Sequence, residues 1–182
     1  VAVIAIYLFV FVGANSHFGS DWIKERGNEA LPGSIDFEYV EIQPSLNRVH
    51  AWGLQFFDTT GQPVIEVRRA ECSIDLTGML FNRYELNRCE ASDGQVLVGV
   101  KPAGHLGIVR TFSPRERSKN ARKARPDLIF DGVTVEDIDV LVNLNNLMLR
   151  FDDAQARDAF ITVDDKGFYM ETERLMATGG RW

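Results

Sequence analysis

Few side chains in this sequence have the type and spacing to do chemistry. Cys72 and Cys89 are its cysteines, His17, His50 and His105 its histidines, and Asp152-Asp153 and Asp164-Asp165 stand as paired carboxylates. Thiols and imidazoles can hold zinc, but zinc sites gather them at short spacings such as C-x2-C, and none occurs. Paired carboxylates can hold a metal or divide acid and base roles. Here both pairs lie at strand ends, where Asp favours turns, and no EF-hand spacing surrounds them. His50 has no partnered nucleophile and reads as a hydrogen-bonded core histidine rather than a base. No GxSxG, P-loop, GxGxxG before a helix, or HExxH is present. The sequence therefore points away from an enzyme, and no metal or other cofactor is expected.

Bulk properties narrow the class further. The chain has 182 residues, enough for one domain or one and part of a second, and it is 45% hydrophobic and 25% charged, as a folded protein is. A formal net charge of −6 argues against a dedicated nucleic-acid binder, which needs clustered cations. One local cluster exists: Arg115, Arg117, Lys119, Arg122, Lys123 and Arg125, between Ser113 and Pro126. Without interleaved aromatics it does not suit nucleic acid. It reads as a solvated loop or exposed helix, with contact to anionic lipid headgroups at a membrane surface as the alternative.

The elements that would position these residues are mostly strands. Val1 to Val12 carry no charge, and residues 1–18 are expected to form a membrane-anchoring transmembrane helix in preference to a secretory signal or a buried core helix. A fourteen-residue helix covers only about 21 Å, so the helix would be clipped. The absence of Met at Val1 and the stop after Gly179-Gly180-Arg181-Trp182 read as cuts in a longer protein. Residues 19–33 suggest a short amphipathic helix, started by Ser20-Asp21 and ended by Pro32-Gly33.

From Ser34 the apolar period becomes two. Residues 34–103 read as a first β-meander, 104–130 as a basic connection, and 131–182 as a second, truncated meander. Ser92-Asp93-Gly94 is expected to be a tight turn between two strands. Turns centred on Ser45-Leu46 and Thr60-Gly61 set Tyr39 against Trp52, Phe37 against Leu54, Ile35 against Phe56, Ile65 against Phe56 and Val67 against Leu54. One apolar face then comprises Ile35, Phe37, Tyr39, Trp52, Leu54, Phe56, Ile65 and Val67, with Asp36, Glu38, Gln55, Glu66 and Arg68 behind it. A face of that size needs a cover. In the same scheme, facing Cys72 with Cys89 would separate Ile74 from Leu86, so buried free thiols are favoured over a disulfide.

The residues Gly53-Leu54, Asp58, Gly61 and Pro63, followed by Leu76, Leu80 and Leu86, resemble the hairpin and following segment of the AsmA-like family of envelope proteins. The resemblance covers about residues 1–100 well and 130–175 loosely, and the basic insert departs from it. It implies a mainly β protein with an N-terminal transmembrane helix. The antiparallel meander would curl into an open groove, with one or two short helices. It also implies a single-pass bacterial inner-membrane protein with its β domain in the periplasm, and phospholipid as the groove's ligand. Its function would lie in phospholipid transfer between inner and outer membranes or in outer-membrane assembly. A membrane-tethered scaffold binding another envelope protein through its sheet is the alternative.

Overall fold

The computed structural model describes residues 13, 15, 17–45, 47–74, 83–99, 111–112, 127–144, 147–163 and 168–181. Helix α1 (His17–Ala30) begins before the expected Ser20-Asp21 start, and Leu31 N–H closes its last turn on the Gly27 carbonyl. Pro32 follows, where a helix cannot continue. Among the described residues eight strands come after it: β1 (Ser34–Asp36), β2 (Tyr39–Ile42), β3 (Arg48–Phe57), β4 (Pro63–Ile74), β5 (Arg83–Gly99), β6 (Asp127–Leu144), β7 (Leu147–Val163) and β8 (Phe168–Arg181). They form one open sheet in the order β1-β3-β4-β5-β6-β7-β8, with β2 continuing β1 along β3.

Helix α1 lies against the β1–β2 edge, where unpaired backbone groups would otherwise face solvent. The side chain of Asn15 accepts from Ile42 N–H and donates to its carbonyl, as a neighbouring strand would. The Asn28 side chain accepts from Ile35 N–H. Lys24 sits over the Phe37 ring and pairs with Asp36, holding that carboxyl below its ordinary range.

The register within the first strands follows the expected one. Ile35 pairs with Phe56, Tyr39 with Trp52, Phe56 with Ile65 and Leu54 with Val67. The side-chain alternation does not. Phe37 and Val40 are buried at 4% and 3% exposure, whereas Tyr39 between them is 48% exposed. The cause is a break in the pleat. Gly53 on β3 turns left-handed (φ 60°), and across from it β4 carries Arg68 and Arg69, both exposed, between buried Val67 and Ala70. The same device recurs along the sheet. Arg88 and Asp93 on β5, Gly132 and Asp137 on β6, and Asp153 and Asp158 on β7 all have positive φ, each pair five positions apart. The β5–β6 register sets Arg88 beside Gly132 and Asp93 beside Asp137. Each left-handed residue adds an outward position and bends its strand, so inward side chains follow spacings of two and three in turn.

These bulges correct several expectations. Ser92-Asp93-Gly94 is not a turn: β5 runs through it, with Asp93 as the bulged residue. Asp152-Asp153 lies inside β7 rather than at a strand end; Asp164-Asp165 lies outside the described residues. Cys72 and Cys89 are bonded, not free. Glu71 pairs with Glu90, which brings Cys72 to Cys89; the extra residue Arg88 then lets Ser73 meet Asn87 and Ile74 meet Leu86. Apolar pairing and the disulfide thus coexist.

Two corrections concern architecture. The meander is not antiparallel throughout, because β5 and β6 run parallel, and the strands of both expected meanders belong to one sheet. The expected N-terminal transmembrane helix is also not borne out. Among the described residues no helix is long and apolar enough to cross a membrane, and α1, with Asp21, Lys24, Glu25 and Glu29 in its fourteen residues, is polar. Residues 1–12, on which that expectation rested, lie outside the described residues, as does the basic segment.

Two measurements check this account. A Cβ on Gly94 would lie 2.2 Å from the Glu66 carbonyl oxygen and 3.0 Å from Val67 Cα, whereas one on Gly99 meets nothing within 4 Å. Gly94→Ala is expected to cost about 2–3 kcal/mol in chemical denaturation and Gly99→Ala less than about 0.5 kcal/mol; equal effects would contradict the close β4–β5 approach. Replacing Cys72 and Cys89 together by Ala is expected to cost about 3 kcal/mol. The unmodified chain, denatured without reductant, should show no reactive thiol; a thiol signal would rule out the bond.

Candidate ligand-binding face

The bulge rows divide the sheet into a polar face and an apolar one. At the centre of the apolar face one register row crosses six strands: Val40, Ala51, Ala70, Ala91, Val135 and Ala156. Small and β-branched residues flank it on both sides. Val49, Cys72, Cys89, Val133 and Ala159 make one flank, and Leu54, Val67, Gly94, Ile138 and Ala154 the other. Bulkier side chains stand outside these: Ile74, Leu86, Phe130 and Ile161 on one side, and Ile35, Phe56, Ile65, Val96, Val140 and Phe151 on the other. No charged residue occupies any of the five rows. A floor of small residues between bulky walls is a lane running across the strands. From β2 to β7 its length is roughly 24 Å at the usual interstrand spacing.

The lane is recessed. Ala159 is 1% exposed and Ile138 2%. The described residues packed around Cys89, Val133 and Ala159 all belong to the sheet itself: Cys72, Leu86, Phe130, Val135 and Ile161. For a sheet to enclose its own alanines, it must bend toward them, as two rows of bulges make it do. At one corner the face has a lid. Leu31 and Phe112 pack on Ile35, Phe56 and Ile65, the Phe112 and Phe56 rings lie 5.4 Å apart, and Gly33 N–H donates to the Thr111 carbonyl. Ala51, Ala91 and Val135 are only half-buried, as are Val96, Val140 and Phe151.

Of the residues expected to line the face, Ile35, Phe37, Leu54, Phe56, Ile65 and Val67 do so. Tyr39 and Trp52 do not: they share an outer row with Arg69, Ser92 and Glu136. The reason is the left-handed Gly53, which inverts the phase between Trp52 and Leu54. Trp52 stacks instead on His50 and tilts against Tyr39, beside a depression of about 510 Å³ lined by Glu38, Glu66, Arg68, Asp93 and Asp139. His50 is hydrogen-bonded as expected, with Gln43 Nε2 2.8 Å from its Nε2 and Glu71 3.3 Å from its Nδ1, but it is half-buried beside Trp52 on the outer face rather than in the core. Among the described residues no group of three or more His, Cys, Asp or Glu is placed to hold a metal.

Sequence reasoning missed the larger half of the face, on β5 to β7. Its signal was present: Phe130, Val133, Val135, Ile138 and Val140 follow steps of three, two, three and two, with Gly132 and Asp137 in the longer steps. A strict period of two cannot detect that pattern. The candidate membrane-surface cations Arg115, Arg117, Lys119, Arg122, Lys123 and Arg125 lie outside the described residues. Neither a known family nor any curated protein matches the chain.

Proposed function

We propose that this chain is a non-enzymatic carrier of glycerophospholipid, holding acyl chains along the apolar lane while headgroups stay in water. The observation that carries the reading is the uninterrupted apolar character of a recessed face across six strands. Its length, roughly 24 Å, exceeds the half-thickness of a ~30 Å hydrocarbon core, so one acyl chain fits along it. Rotamer-poor alanine at the floor suits a ligand whose cross-section is uniform and whose chemistry is only apolar. The reading agrees with the resemblance to AsmA-like envelope proteins, in which lipid moves between membranes. The Cys72–Cys89 bond supports an oxidising compartment, such as a bacterial periplasm.

Native mass spectrometry of the purified chain should show bound phospholipid. Ala91→Glu and Val135→Glu, at half-buried lane positions, are expected to abolish it, while Trp52→Ala and Tyr39→Ala on the outer face retain it. Circular dichroism identifies which variants fold, and the milder Val135→Ser, expected to reduce binding, serves if the carboxylates prevent folding. Lipid retained by a folded Ala91→Glu protein, or lost equally from the Trp52→Ala protein, would sink the assignment.

A further inference from the structure

We propose that the tip of the β6–β7 hairpin dips into the surface of a lipid bilayer. Along most of the sheet one face is apolar and the other charged; at this end both are apolar. Val140 to Leu149 contain no charged residue, and neither do Val96 to Gly99 at the end of β5. The stretches pair with one another: Val98 with Val142, Val142 with Leu149, Leu97 with Leu141, and Leu144 with Leu147. By alternation Val142, Leu144, Leu147 and Leu149 continue the apolar side beyond the lane's wall of Val96, Val140 and Phe151. Leu97, Leu141 and Met148 stand on the opposite side, where Val64 joins them around a depression of about 430 Å³. Leu144, Leu147 and Met148 are 38%, 45% and 62% exposed.

A protein partner, or a ligand in the lane, covers one face of a sheet. Side chains exposed on both faces of a single hairpin call for a medium that surrounds the tip, and a layer of acyl chains is such a medium. β6 and β7 are each paired on both sides, so what protrudes is the end of two inner strands rather than a sheet edge. The charges are placed to suit a shallow insertion. The first on the hairpin after the tip is Arg150, opposite Leu141 and three residues from Leu147. That is roughly 10 Å along the strand, close to the depth to which interfacial segments bury their apolar side chains. Arg150 is exposed and bonded to Asp139 and Asp152 at 2.7 and 2.6 Å, a charged group at headgroup level. Asp58, beside the depression, is 3% exposed and turned into its own loop, where it accepts from the N–H groups of Thr60 and Gln62. Asn143, Asn145 and Asn146 are uncharged. A tip docked in this way sets the wall of the lane beside the leaflet, but the docking rests on the tip alone and not on lipid in the lane.

Flotation of the 182-residue chain with phosphatidylcholine vesicles tests the proposal; vesicles without net charge remove any contribution from the basic residues between Ser113 and Pro126. The chain is expected to float with them, at high salt as at low. Leu147→Asp and Met148→Asp should each weaken partitioning about tenfold or more. Leu175→Asp, at a side chain 70% exposed beside Arg174 on β8, should change it less than about twofold. Circular dichroism confirms that each variant folds. A fluorophore attached through Leu147→Cys should be quenched by lipids brominated on their acyl chains and one attached through Leu175→Cys should not, a readout that needs no Asp variant. A chain that stays out of the vesicle fraction, folded tip variants that float like the unmodified chain, an equal loss from Leu175→Asp, or an unquenched tip probe would overturn the docking. Tip substitutions that dissolve an oligomer but leave flotation unchanged would give the tip to a second copy instead and overturn it too. The lipid reading stands or fails separately, since Ala91→Glu should empty the lane and leave flotation unchanged.

Discussion

The left-handed residues inside the strands set the phase of every side chain that follows them. A β-strand alternates faces strictly, so one inserted residue sends everything beyond it to the opposite side unless each neighbouring strand inserts one at the same level. Here they do along part of the sheet, where Gly53 faces the Arg68-Arg69 step on β4 and Arg88 lies beside Gly132 and Asp93 beside Asp137. Elsewhere a register shift takes up the extra residue: β6 and β7 insert at staggered levels, and β4 inserts none opposite Arg88. Because each insertion is matched by a neighbour or absorbed by a shift, the apolar face survives the breaks and gains curvature from them.

Side-chain size follows from that curvature. On the concave side of a bend, neighbouring Cβ atoms crowd together, so the floor must be small. Ala70, Ala154, Ala156 and Ala159 are all buried there, and Gly94 has no room even for a Cβ. The bulkier Phe130, Ile161 and Phe151 take the outer rows instead. The disulfide belongs to the same logic. Arg88 holds an uncommon backbone conformation for a non-glycine residue, and Cys89, its neighbour, is covalently tied to β4. The bond secures the register at the one point on β4–β5 where the residue count changes.

How far the sequence disclosed this fold depended on whether a local rule applied. The pairings of Ile35, Phe56, Ile65, Leu54 and Val67 were readable, because turn chemistry at Pro44-Ser45 and Thr60-Gly61 fixes hairpin register without reference to distant parts of the chain. Facing was readable only as far as the first bulge. Tyr39 and Trp52 were assigned to the apolar side because a period of two was carried through Gly53. Asp93 and Asp153 read locally as turn residues for a sound reason, since Asp tolerates left-handed backbone. The same tolerance also serves a bulge, and local composition does not distinguish the two. The parallel β5–β6 pair was out of reach, since it is a long-range choice encoded by no single segment.

The edges are where the curvature meets its limit. A sheet curved by bulges can be closed, capped or extended, and an exposed apolar edge is costly in water. At β1–β2 the chain caps itself: Asn15 and Asn28 supply the donor and acceptors that a strand would have supplied, and Lys24 shields Phe37. At β8 the outward double step carries one acid and one base in adjacent positions, Glu173 and Arg174, with Arg157 across from the base. The charges keep to the outward positions that the bulge on β7 creates, and the apolar rows of Ile161 and Ala156 continue inward through Met170 and Leu175, so the bulges sort charge from apolar surface as far as the last described strand.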